Sequence, residues 1–130
     1  MAPEVDLLIS VKKLLKKANV PVYDLGQQRP VKFPQIIVYI QNEQELTDLK
    51  VMDYIKITVA VDVYTDISQQ GQALSLGRKI SNLMQTLNLS EWPLRYSDYS
   101  MRPLIDNSLE SKTLYRLAFL FDYYIYGKKD

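Results

Sequence analysis

The chain contains no cysteine and no histidine. The first absence removes disulfides, thiolate nucleophiles and cysteine zinc sites. The second removes imidazole acid–base chemistry and any Ser-His-Asp triad. Charge of one sign is also missing. Sixteen Lys and Arg face fifteen Asp and Glu, for a net charge of +1, so no global basic field draws the chain to nucleic acid. No apolar run approaches the roughly 18–20 residues of a membrane span. The segment Met1–Asp6 is acidic and lacks the basic flank of a signal peptide. Walker A, GxGxxG and HExxH spacings do not occur; Gly71 and Gly77 bracket helical sequence with no Lys-Ser/Thr after them. Neither a cofactor nor a bound metal is expected.

What is present is an ordinary soluble balance, with 47% apolar and 24% charged residues among 130. That length suits one domain, residues 1–130, able to hold a core without staples. Tyrosine stands out at ten copies. It is enriched at protein interfaces because it joins apolar area to a hydroxyl. The composition suggests an interaction protein more than an enzyme.

Periodicity predicts a helix from Pro3 to Ala18. Proline suits a first turn, Glu4 and Asp6 sit at the positive end of the dipole, and Lys12, Lys13, Lys16 and Lys17 load the other end. Leu7, Leu8, Val11, Leu14, Leu15 and Ala18 share one arc; Val5 and Ile9 fall outside it, exposed or in contact with another subunit. A short strand over Val20–Asp24 and a loop to Pro34 follow. Gln35–Gln41 reads as a strand, and Asn42–Val51 as a polar loop, long for a hairpin. Asp53–Thr65 alternates cleanly, with Ile55, Ile57, Val59, Val61 and Val63 on one face. Asp66 or Ser68 is placed to cap a second helix, Gln69–Leu87, where Gly77 within the apolar arc suggests close approach to a sheet. Trp92–Ile105, broken by Pro93 and Pro103, reads as an edge strand. Lys112–Tyr126 reads as a long final strand, apolar on one face and carrying Leu114, Leu120, Tyr124 and Tyr126 on the other. The fold class is therefore α+β: an antiparallel or mixed sheet of four to five strands with two helices packed on one face. The two long strands, about 13–15 residues each, would span roughly 43–50 Å and project beyond a compact core or bend strongly. Projecting sheet with tyrosine and leucine outside wants a partner, and a symmetric oligomer supplies one.

The side chains offer three chemical readings. Glu43, Glu45 and Asp48 cluster in one segment, but without the ligand spacing of a calcium loop, so a solvated loop is favoured. Asp62 and Asp122 sit mid-strand, where pairing with Lys56 and Arg116 across the sheet is favoured over glycosidase chemistry. The Lys12–Lys17 row and the tyrosines leave a small nucleic-acid-binding or regulatory α+β module as the alternative function, disfavoured by the near-neutral charge.

The order of elements resembles the tail terminator, or tail-completion, proteins of long-tailed bacteriophages, also called head-to-tail joining proteins. Four features carry the resemblance across nearly the whole chain: the amphipathic N-terminal helix before Pro21-Val22-Tyr23-Asp24; FPQIIVYI at Phe33–Ile40; YIKITVAVDVYTD at Tyr54–Asp66 leading straight into a helix; and the aromatic strand LYRLAFLFDYYIY at Leu114–Tyr126. The resemblance implies a non-enzymatic virion assembly protein of a phage or prophage. It would form a homo-oligomeric ring, hexameric in this family, added when the tail tube is complete. The implied partners are the tail tube protein, the head connector and genomic DNA passing through the lumen without sequence-specific contact, with no membrane. The implied location is the virion tail, assembled in the host bacterial cytoplasm. The family has no catalytic residues to carry over. From exposure and segment length, the expected contacts are Val5 and Ile9, the segment bearing Glu43, Glu45, Leu46, Asp48, Leu49 and Lys50, and Tyr124 and Tyr126.

Overall fold

The computed structural model describes residues 1–47 and 53–127. Its order is α1 (Pro3–Leu15), a 3₁₀ turn, β1 (Val22–Asp24), β2 (Gln35–Thr47), β3 (Asp53–Asp66), a second 3₁₀ turn, α2 (Gln70–Met84), β4 (Leu94–Asp106) and β5 (Leu114–Tyr126). The strands form one five-stranded sheet in the order β1-β2-β3-β5-β4. β1 runs parallel to β2, and every other neighbouring pair is antiparallel. The α+β expectation, a mixed sheet with two helices on one face, holds.

The helices cover the face that alternation assigns to the core. Leu7, Val11 and Leu15 of α1 and Ala73, Ile80 and Met84 of α2 join the alternate residues of β3 and β5 in one buried cluster. Gly77 permits that approach. A Cβ there would lie 2.9 Å from Leu117 Cδ1 and 3.2 Å from Phe119 Cζ. The buried Tyr123 hydroxyl donates to the Met84 carbonyl at 2.6 Å, tying the end of α2 to the sheet. That bond satisfies one of the carbonyls that a helix C-terminus leaves without an intrahelical partner.

Three expectations need correction. Asn42–Thr47 is strand, not loop: β2 continues through a bulge between Ile40 and Asn42, and Asn42 to Thr47 pair with Thr58 to Asp53. Polar residues there mask the strand because they lie at the rim of the sheet, where Asn42, Glu43, Gln44 and Glu45 stay exposed. Asp48, Leu49 and Lys50 lie outside the described residues. The long strands lie side by side. β3 and β5 pair from Tyr54–Tyr126 to Asp66–Leu114, so their length is spent on each other. The N-cap residue of α2, Gln69, makes no capping hydrogen bond; a 3₁₀ turn precedes the helix, and Asp66 instead meets Lys112 at 2.8 Å. α1 ends at Leu15, and its 3₁₀ extension stops at Asn19 in the left-handed region, φ 59°.

Candidate interaction site

The helix-free face of the sheet is built from the even-numbered residues of β3 and β5. At its middle, Arg116 pairs with Asp62 at 3.0 Å, and the guanidinium lies 5.7 Å from the Tyr64 ring. Asp62 is 4% exposed although no helix covers it. Burial pushes its carboxyl above the ordinary value, with Arg116 pulling the other way. The expected partnership of Asp62 with Arg116 is present, whereas Asp122 accepts the Thr58 hydroxyl. These carboxylates serve the sheet itself.

Toward the far end of the same face three of the ten tyrosines gather. Tyr54 packs against Tyr124 and Tyr126 with ring centroids 5.7 and 5.4 Å apart. Arg95 of β4 stacks over Tyr124 at 4.8 Å. Leu46 lies opposite Tyr54 across the β2–β3 ladder. Thus Leu46, Tyr124 and Tyr126, expected to be contacts, stand at one end of the sheet. Tyr54 and Arg95 join them.

Around that end lies an open groove of 570 Å³, between the start of α1 and the ends of β3 and β5. Glu43 and Tyr126 line it, together with Met1, Asp53, Glu91 and Trp92. The Met1 ammonium pairs with Glu91 at 3.0 Å, and Trp92 Nε1 donates to the Met1 carbonyl at 3.0 Å. Behind it, buried Asp6 anchors the segment before β4. Its Oδ1 accepts from the Ser90 amide, the Ser90 hydroxyl and the Ser10 hydroxyl, and its Oδ2 accepts from the Glu91 amide at 2.8 Å. Desolvation alone would raise the Asp6 pKa; the bonds from Glu91 and Ser90 outweigh it and hold it below the ordinary value.

Val5 and Ile9 lie elsewhere. They are 47% and 50% exposed on α1, as their place outside the arc implies. Glu45 lies opposite Ile55 on β2, beside the groove-lining Glu43. Sequence reasoning passed over Asp6, Trp92, Tyr54 and Asp53 as site residues. A lone tryptophan within Ser90-Glu91-Trp92-Pro93 was the available signal. Among the described residues, no three acidic side chains gather as a metal site requires, and no helix is long and apolar enough to cross a membrane.

No family model and no curated protein matches the chain. Among solved structures, the fold recurs in a chain of the virion of a native gene transfer agent (GTA) particle. The TM-score is 0.68 at 17% identity, covering 93% of this chain and 95% of that one. A second solved chain, known by an identifier alone, superposes with a TM-score of 0.60 at 9% identity, over 97% of this chain and 94% of its own. At these identities the likeness is one of fold.

Proposed function

We infer that the chain is a non-enzymatic structural protein of a phage-like virion, acting at the end of the tail. In this reading it forms a ring, hexameric as in the family it resembles. The ring caps the tail tube, ends its polymerisation and presents the joining face to the head connector, while DNA passes through the lumen. Assembly takes place in the host bacterial cytoplasm. The observation that carries this is the end-to-end fold likeness to a chain of a gene transfer agent virion. The order of elements that resembles tail terminators supports the finer assignment. Tyr124, Tyr126, Leu46, Glu43 and Glu45 are the assembly contacts at the groove end. Val5 and Ile9 on α1 form a second contact surface, and Asp48, Leu49 and Lys50 are further contacts.

Light scattering behind a sizing column, with and without purified tail tubes, tests this. A species near six times 15.1 kDa, or tubes capped at one end, is the expected result. A chain that stays monomeric with tubes, yet shifts with added DNA in a strongly salt-dependent way, supports the nucleic-acid module instead. The exposed Lys13, Lys16 and Lys17 would then be its contacts, since Lys12 is committed to Asp24 at 3.1 Å.

A further inference from the structure

The groove beside Trp92 combines an apolar floor with an acidic rim. Ile55, Ile125 and the Trp92 and Tyr126 rings line it, and Glu4, Asp53 and Glu91 supply carboxylates. Its 570 Å³ falls in the range of binding clefts, roughly 300–1,000 Å³. It already seats one ammonium group: that of Met1, on Glu91 at 3.0 Å, with Trp92 bonded to the same residue's carbonyl. The arrangement answers a particular chemistry. An apolar side chain gains by covering the floor. A neighbouring cation gains twice, from a rim carboxylate and from an aromatic face. A phosphate-bearing partner meets like charge and is rejected.

We propose that this groove docks an extended segment of a partner protein carrying a lysine or arginine beside an apolar side chain. The groove exists in the single chain, so docking does not require the ring. Chain polarity places the chain's own Lys128 and Lys129 directly after Gly127, a groove-lining residue. Occupancy by that tail is the rival outcome.

Trp92 is the chain's sole tryptophan, so its emission reports on the groove directly. The full chain is titrated with N-acetyl-Leu-Lys-Leu-Arg-amide and with its Leu-Glu-Leu-Glu counterpart. A saturable change with the cationic peptide alone is expected. Affinity should fall about tenfold between about 50 mM and about 500 mM salt, as screening weakens the ion pairs. Asp53→Asn combined with Glu91→Gln, both exposed side chains, should weaken binding several-fold. Glu110→Gln, which does not line the groove, should leave it unchanged. Three results overturn the proposal. The first is no saturable change, and the second an equal response to the acidic peptide. The third is binding seen only when Lys128→Ser and Lys129→Ser are introduced together, which would show that the tail fills the groove.

Discussion

Asp6 shows how one residue in the first turn of a helix acquires a tertiary role. The sequence places it at the positive end of the α1 dipole, a sufficient local reason for an acid. The structure adds four hydrogen bonds, three of them from Ser90 and Glu91, more than eighty positions away. Asp6→Asn keeps one acceptor but turns an amide NH₂ toward the Glu91 N–H. The cost should be about 1–3 kcal/mol, read from urea unfolding. The pH dependence has a definite sign. The folded pKa lies below the ordinary 3.8, so this stabilisation is complete above that value. It is lost as pH falls through the folded value. Asp6→Asn should therefore flatten the acid limb of stability against pH; an unchanged limb removes Asp6 as its source.

Gly77 is the other residue whose role is spatial. Alanine should favour the helix by about 1 kcal/mol. Its Cβ would press on Leu117 and Phe119 in a full core, which costs about 1–3 kcal/mol. Gly77→Ala should thus be neutral to destabilising by about 2 kcal/mol, and Leu117→Val should recover part of the loss. A clear gain in stability from Gly77→Ala alone would show that the contact is slack.

At the scale of the element, β5 is decisive. One face is buried from Leu117 to Ile125, and the other carries the Arg116–Asp62 pair and the tyrosine end. The Tyr54, Tyr124 and Tyr126 contacts lie at the rim of the sheet, so the fold does not depend on them. Tyr124→Ser with Tyr126→Ser should cost about 1–3 kcal/mol from two aromatic pairs. Circular dichroism should be unchanged while the proposed oligomer weakens. If light scattering finds the oligomer intact, these residues leave the list of contacts. Arg116→Met should be more severe, about 3–5 kcal/mol, because it strands a buried carboxylate. Thermal unfolding reads this directly.

At the scale of the whole molecule, four strands of 13–14 residues make up most of the sheet, with the short β1 at one edge. Each of the four is about 43–46 Å long, laid side by side and backed by two helices. Tyr54, Tyr124, Tyr126, Arg95 and the Trp92 groove lie at one end of that slab, and Val5 and Ile9 lie on its helical side. Surfaces on separate parts of a subunit suit a heterologous, ring-closing assembly. Such a ring, held by apolar and tyrosine contacts, should change little in mass between low and high salt. Steep loss of the assembly with salt would point to charge as its main bond.

The α+β class, both helices, the core faces and the edge position of β4 were legible in the sequence. Periodicity of 3.6 or 2 and the placement of proline express burial directly. The exposure of Val5 and Ile9 followed from the same geometry. The continuation of β2 through Asn42–Thr47 was not legible, because a strand at the rim of a sheet can be polar on both faces. Nor was the gathering of Met1, Glu43, Trp92 and Tyr126 around one groove. Residue order alone determined which side chains must leave water. Only the antiparallel register of β2, β3, β5 and β4, together with the Asp6 anchor, decided which remaining side chains meet, because that depends on strand pairing between residues far apart in the chain.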